Sequence, residues 1–148
     1  MVLPKSKKYL IDTNILVYSI NKNSDFHTQT NTLLQKLINQ DYQLYTSTQN
    51  LLEFERIITH PIFNKLIDYR IRNKQLDFWI NNLNILHEDK IVWLKYLELR
   101  AQLKPIGNKI FDIWLASIAI SNGIHYIVTA NEKDFTNIPE IKIYNPCI

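Results

Sequence analysis

The sequence predicts an α/β fold in which helices cover both faces of a central, mainly parallel sheet. Short apolar segments of strand length alternate with longer segments whose apolar residues recur at helical spacing. The segment 124–130 is apolar almost throughout, as expected for a strand that is buried on both faces. With 148 residues, 46% of them hydrophobic and 21% charged, the chain has the size and composition of a single domain over 1–148.

The first half of the chain contains two strand–helix pairs. In order, we expect a strand over 9–12, a helix over 26–40, a strand over 42–47 and a helix over 47–60. Ser47 or Thr48 is the candidate N-cap of the second helix, and Pro61 is its stop. The first strand ends at Asp12, an acidic residue at the end of an apolar run.

The second half is richer in helix. In order, we expect helices over 73–83 and 90–103 on either side of the short apolar segment 85–88, a nearly all-apolar helix over 109–123, a strand over 124–130 and an edge strand over 141–146. Gly123 is the expected C-terminal stop of the apolar helix. The alternation of strands and helices continues, which favours parallel pairing.

Composition narrows the functional classes. The single cysteine, Cys147, excludes an internal disulfide and is typical of a reducing compartment. We find neither a signal peptide nor an apolar run long enough to span a membrane, so we expect a cytoplasmic protein without a membrane partner. A net charge of +3 and a pI near 8.9 permit a polyanionic partner but do not require one.

Acidic and amide side chains follow several predicted strands. Ligand sites of parallel sheets lie at the carboxyl ends of the strands, where the strand order reverses. Five oxygen-bearing residues from separate segments are expected at this edge: Asp12, Glu53, Asp112, Asn131 and Asp134. Because like charges in one cleft repel each other, this set implies a cation. Oxygen ligands without histidine or cysteine favour Mg²⁺ or Mn²⁺ over zinc.

Each acid also has a structural interpretation. Asp112 could cap its helix, since acids are favoured in a first turn. Asp12 could form an Asx turn with Asn14. Glu53 could belong to a solvated helix face, but its apolar neighbours place it nearer the buried boundary than Glu55, which is better placed for an exposed ion pair.

A basic run at 68–74 contains Arg70, Arg72 and Lys74. These side chains could hold the phosphates of a nucleic acid, or they could form an ordinary solvated surface. The four histidines are scattered without ligand spacing, so we interpret them as structural or surface residues.

Three ordered blocks resemble the signature of the PIN domain, and in particular the bacterial toxin ribonucleases of the VapC type. The blocks read YLIDTNILVYS, STQNLLEFERIIT and IFDIWLASIAISNGIHYIVTANEKDF, and the resemblance spans residues 8–135. It implies a three-layer α/β/α sandwich and a metal-dependent endoribonuclease in which water activated by Mg²⁺ or Mn²⁺ attacks the RNA. It also implies a small antitoxin protein as partner in a type II toxin–antitoxin pair, and a homodimer.

The resemblance also assigns site residues. Asp12 matches the first acid of the family, Glu53 the glutamate of its second block, and Asp112 the aspartate that opens the long apolar helix. Thr129 matches the threonine that closes the fourth strand.

The sequence departs from the family pattern two residues after that threonine. Asn131 stands where family members commonly carry aspartate, and Asp134 follows three residues later, so either residue could fill the fourth position. Asn14 and Ser47 are expected to orient the carboxylates.

Two other classes of function stay open beside the ribonuclease. The first is a catalytically weak PIN-like module that only binds RNA or protein, with its site impaired at Asn131. The second is a phosphotransfer enzyme of another α/β family. A haloacid-dehalogenase-like phosphatase needs a second aspartate at position 14, which is asparagine here, and a receiver domain needs paired acids at the first strand, which are absent.

Overall fold

The structure, a computed structural model, describes residues 3–64 and 68–148. Within these ranges one sheet contains the strands β1 (Lys8–Ile11), β2 (Gln43–Ser47), β3 (Asn84–Leu86), β4 (Tyr126–Val128) and β5 (Lys142–Tyr144). All neighbouring strands are parallel, in the order β3-β2-β1-β4-β5. The order therefore reverses between β1 and β4, at the centre of the sheet.

Helices occupy most of the connections between strands. They are α1 (Thr13–Ile20), α2 (His27–Asn39), α3 (Thr48–Ile58), α4 (Pro61–Asn64), α5 (Tyr69–Asn82), α6 (Lys90–Leu103), α7 (Lys109–Ser121) and a short 3-10 helix (Glu132–Asp134). None of the helices in the described residues is both long enough and apolar enough to cross a membrane.

The side chains of the strands alternate between two hydrophobic cores. Tyr9 and Ile11 of β1 are fully buried in a core shared with α1, α2, α3 and α5. Leu10 of the same strand and Ile127 of β4 lie in a second core, shared with α6 and α7. This alternation is the period of two of a β-strand, and it confirms the expected three-layer α/β/α sandwich.

Most predicted elements occur within a few residues of their expected positions, and α6 has the expected bounds. Helix α7 ends at Ser121, two residues before Gly123, whose φ of +71° allows the chain to turn away. Helix α5 begins at Tyr69, before the expected start at 73, because Asp68 caps it by accepting a hydrogen bond from the Ile71 N–H at 3.0 Å.

Helix α1 was not predicted. It follows β1 at once, and Asp12 is its N-cap, with a side chain that accepts a hydrogen bond from the Thr13 N–H. The helix packs against α2 and α3. Because α1 starts at the end of β1, its first residues lie at the carboxyl edge of the sheet.

The N-cap of α3 is Ser47 rather than Thr48. The Ser47 Oγ accepts from the Asn50 N–H at 3.1 Å, and the Asn50 Oδ1 accepts from the Ser47 N–H at 3.2 Å. This reciprocal capping box fixes where α3 starts. Glu53 consequently lies in the second turn, beside the carboxyl ends of the strands.

Candidate active site

A cavity of about 310 Å³ opens at the carboxyl ends of β1 and β4, where the strand order reverses. All five oxygen-bearing residues expected at this edge line it, together with Asn14. The full lining consists of Asp12, Thr13, Asn14, Val17, Tyr18, Glu53, Ile57, Asp112, Asn131 and Asp134. The fold therefore brings together side chains that lie up to 122 positions apart in the sequence, from Asp12 to Asp134.

Asp12 is the most buried of the four acids, with 9% of its surface exposed. Its Oδ1 accepts from the Thr13 N–H at 2.8 Å and from the Asn50 Nδ2 at 3.3 Å. Its Oδ2 accepts from the Thr129 Oγ1 at 2.8 Å and from the Asn14 Nδ2 at 3.4 Å. Both oxygens are thus held in fixed directions.

The pKa of Asp12 is nevertheless raised to about 6. Burial is the main cause, and the nearby carboxylates of Glu53 and Asp134 raise the pKa further. The hydrogen bonds from Thr129 and from the Thr13 N–H act in the opposite direction but do not offset the burial. The ionised form of Asp12 is therefore less favourable in the folded chain than in water.

Asn50 connects Asp12 with Glu53. Besides donating to Asp12, the Asn50 Nδ2 donates to the Thr13 Oγ1 at 2.9 Å, and that hydroxyl donates to the Glu53 Oε2 at 3.1 Å. The Ser47 Oγ donates to the Asn50 Oδ1 at 2.7 Å. Ser47, which was expected to orient a carboxylate directly, thus acts through Asn50.

Asn14 and Thr129 join α1 to the end of β4. The Asn14 Nδ2 donates to the Thr129 Oγ1 at 3.2 Å, and the Asn14 Oδ1 accepts from the Ala130 N–H at 3.1 Å. The Thr129 Oγ1 also accepts from the Asn131 N–H at 3.0 Å. These bonds set the position of the segment that continues to Asp134.

Asp112 lies in the first turn of α7, but the N-cap of that helix is Asn108. The pKa of Asp112 is raised to about 6, chiefly by burial and then by the negative charge of Asp134. Lys109, at the first position of α7, lowers this pKa. The Asp112 carboxylate thus faces other acids in the cavity, and it also lies in a first helical turn, where an acid is favoured.

The two candidates for the fourth position both line the cavity. Asn131 is exposed, whereas Asp134 is partly buried at the end of the 3-10 helix. Among the acids that raise the pKa of Asp112, Asp134 is the largest contributor. The charge beside Asp112 therefore comes from Asp134, while Asn131 adds a neutral amide at the rim.

The donor chemistry of this cavity fits a hard divalent cation. Four carboxylates and two amides line it, and hard cations such as Mg²⁺ take oxygen ligands. In residues 3–64 and 68–148, however, no three His, Cys, Asp or Glu side chains form a cluster that could hold a metal ion as they stand.

The basic run lies apart from this cavity, since none of its three cationic side chains is among the lining residues. Arg72 forms an ion pair with Glu55 at 3.1 Å, and this pair is half-buried, whereas the sequence favours an exposed pair for Glu55. Arg70 and Lys74 are exposed on α5. A role for these residues in phosphate binding stays a prediction.

A larger apolar groove of about 840 Å³ adjoins the cavity and shares Glu53 with it. Exposed aromatic and aliphatic side chains from three helices line it: Leu52 of α3, Trp93 of α6, and Ile110 and Phe111 of α7. The partly buried Trp114 of α7 also lines it. Leu52 is 72% exposed and Phe111 58%. Apolar residues this exposed, gathered in one groove, are typical of a surface that another macromolecule covers.

Sequence reasoning missed two residues of the site, Asn50 and Lys109. Asn50 lies three positions before Glu53 and next to the N-cap signal, so its capping role was accessible from the sequence. The contact of Asn50 with Asp12 joins residues 38 positions apart, so no local sequence pattern predicts this contact. Lys109 likewise reaches the carbonyl oxygens of residues 24 and 25 positions away.

Comparison with known proteins gives a consistent result. The model of the PIN domain matches residues 9–141. Ribonuclease VapC48 of Mycobacterium tuberculosis is 22% identical over 138 residues, which cover 91% of this chain and 94% of that protein.

Solved structures extend the likeness to the fold. VapBC2 from Rickettsia felis, bound to a DNA fragment from its promoter, superposes with a TM-score of 0.70 at 29% identity, covering 93% of this chain and 97% of the other. DNA-bound VapBC from Salmonella typhimurium gives a TM-score of 0.70 at 22% identity, covering 95% and 99%.

Proposed function

Because the chain belongs to the PIN-domain family, we propose that it is a ribonuclease that hydrolyses RNA phosphodiester bonds with Mg²⁺ or Mn²⁺, and that it is the toxin of a toxin–antitoxin pair. One observation carries the chemistry: four carboxylates from four separate elements line a single cavity at the point where the strand order reverses. A relative along most of its length is named a ribonuclease, which supports RNA as the substrate.

The residues of the cavity divide into two roles. Asp12, Glu53, Asp112 and Asp134 would hold the cation, with Asn131 as a neutral oxygen ligand at the rim. When bound, such a cation neutralises charge on the scissile phosphate and makes a water molecule more acidic. Asn14, Thr129 and Ser47, the last through Asn50, fix the directions in which the Asp12 oxygens point.

The alternative of a module that only binds RNA or protein rests on the neutral Asn131. Asp134 weakens that alternative, because it faces the cavity and contributes charge beside both Asp12 and Asp112. The full number of four carboxylates is therefore kept although position 131 is an amide.

A protein partner is the second part of the proposal. The Rickettsia felis relative was solved as a VapBC2 assembly on promoter DNA, and we assign a small antitoxin of this kind to the present chain. The exposed apolar groove next to the cavity offers a surface for a protein partner, either the antitoxin or a second copy of the chain in a homodimer. RNA cleavage of this type would take place in the cytoplasm.

Incubation of the purified protein with structured cellular RNA tests the chemistry. We expect cleavage with Mg²⁺ or Mn²⁺, loss of cleavage in excess EDTA, and recovery when metal is restored. Asp12→Asn should abolish cleavage, whereas Asp25→Asn, at an exposed aspartate in the connection between α1 and α2, should not. Undiminished cleavage in EDTA would overturn the metal mechanism, and RNA binding without cleavage under every metal condition would favour the binding module.

A further inference from the structure

Lys109 links the two segments that carry Asp112 and Asp134. It is the first residue of α7, and its Nζ donates to the carbonyl oxygen of Lys133 at 3.2 Å and to that of Asp134. Lys109 is partly buried. Holding the flexible lysine side chain in this way costs side-chain entropy. In return, the two hydrogen bonds fix the position of the end of the 3-10 helix.

The opposite end of this segment is fixed separately. The Asn131 N–H donates to the Thr129 Oγ1 at 3.0 Å, and the Asp134 N–H donates to the Asn131 carbonyl oxygen at 3.1 Å. The buried ring of Phe135 follows directly. Lys109 thus adds the contact that ties the Asp134 end of the segment to α7.

Lys109 and Asp112 lie three residues apart on α7, so they occupy the same side of the helix. One helical turn therefore carries both Asp112 and the side chain that holds the backbone of Asp134. We propose that Lys109 is a positioning residue, which holds Asp134 against α7 so that the carboxylates of Asp112 and Asp134 form one half of the cation site. This inference rests on the proposed function, since it concerns the cation of the same cavity.

The charge of Lys109 makes the proposal sharply testable. A lysine that was merely close to the site would repel a divalent cation, and removing its charge would then strengthen cation binding. A lysine that positions Asp134 gives the opposite result, because the ligand loses its support. Loss of such outer contacts typically weakens metal affinity by about tenfold to a hundredfold.

Calorimetric titration with Mn²⁺ in the absence of RNA distinguishes a lysine that only lies near the site from one that positions Asp134. We expect Lys109→Met to bind Mn²⁺ about tenfold or more weakly than wild type, and Lys109→Arg, which keeps the charge and the donors, to recover part of that loss. Lys133→Met is the matched control, because it removes an exposed lysine from the same segment. Its affinity should be equal to that of wild type or slightly higher.

Hydrogen exchange in EDTA supplies a readout that needs no metal. In Lys109→Met, faster exchange should be confined to 131–137, with the β1 and β4 amides unchanged. If Lys109→Met instead exchanges faster throughout the sheet, hydrogen exchange of Lys109→Arg shows whether Lys109 positions the segment. The arginine variant should then restore protection of 131–137. Unchanged protection of 131–137, or Mn²⁺ binding as tight as in wild type, would overturn the positioning role.

The two proposals fail in different ways. If wild type itself binds no Mn²⁺, the metal part of the proposed function is wrong and the cation site that Lys109 would support does not exist. If wild type binds Mn²⁺ and Lys109→Met binds it equally well, only the role of Lys109 is wrong.

Discussion

Replacing Asp112 by asparagine should stabilise the metal-free protein at neutral pH. Burial, followed by the negative charge of Asp134, raises the pKa of this carboxyl from 3.8 to about 6. A difference of this size corresponds to at most about 3 kcal/mol of unfavourable free energy for the ionised form. Asp112 is only partly buried, so solvent screening reduces the expected gain from Asp112→Asn to about 1–2 kcal/mol.

The stability gained by Asp112→Asn over wild type should increase with pH. Between about pH 4 and 6 the folded chain binds a proton at Asp112 that the unfolded chain has lost, so wild-type stability falls as the pH rises through this window. Above pH 6 the carboxyl is ionised in both states and the full penalty is present. The advantage of the asparagine variant should therefore be largest at pH 7 and disappear near pH 4.

Thermal melting in EDTA measures this effect directly. For a chain of this length, about 1–2 kcal/mol corresponds to a melting temperature higher by roughly 3–6 °C at pH 7. Several millimolar Mg²⁺ should reverse the order, because a cation at a hundredfold excess over its dissociation constant adds about 2.7 kcal/mol to wild type. The variant, which lacks one ligand, should gain much less. Asp77→Asn, on an exposed position of α5, is the control.

Two results would refute this reasoning. If Asp112→Asn melts below wild type in EDTA at pH 7, the carboxylate is a structural group, and its ionised form is not destabilised in the folded chain. If the variant keeps both the Mg²⁺-induced shift and RNA cleavage, Asp112 does not belong to the cation site.

Three further predictions concern residues around the site. Asn50→Ala should lower the Mg²⁺ affinity about tenfold to a hundredfold with no RNA present, because Asp12 and Thr13 lose a common donor; an unchanged affinity by calorimetry would contradict this. Replacing Arg70, Arg72 and Lys74 together by alanine should weaken RNA binding and flatten its dependence on salt, and an unchanged salt slope would assign them to the solvated surface. Trp93→Asp should dissociate a homodimer that uses the apolar groove, as measured by sedimentation, whereas a dimer that persists would place the contact elsewhere.

The order of elements was predictable because apolar periodicity distinguishes strands from helices over most of this chain. Helix α1, the short helix α4 and the 3-10 helix were not predicted. The longest of these is α1. Its sequence contains the β-branched residues Ile15, Val17 and Ile20, which favour strands over helices. Capping by Asp12 and packing against α2 and α3 outweigh this local preference, and packing of this kind is not visible in a short window of sequence.

The acids of the site could be located because parallel strands end at a common edge, so that residues following different strands must meet. No comparable sequence pattern indicates the residues that hold these acids in position. The contact of Asn50 with Asp12 and the contact of Lys109 with Asp134 depend on how α3 and α7 are rotated against the sheet. Rotation of this kind is set by side-chain packing over the whole core, which a single sequence does not reveal.

At Asp12 the proposed cation site would link the stability of the fold to its activity. Four hydrogen bonds favour its ionised form, yet burial still raises its pKa to about 6, so hydrogen bonding alone does not compensate for the lost solvation. In the part of the chain that the structure describes, the ion pairs are Arg72–Glu55, Lys95–Glu98 and Lys95–Glu140, and none involves an acid of the cavity. In the proposed metal-dependent ribonuclease, a bound cation would supply positive charge beside Asp12 and favour its ionised form. A substitution that weakens cation binding should for this reason reduce the stability of the loaded protein together with its activity.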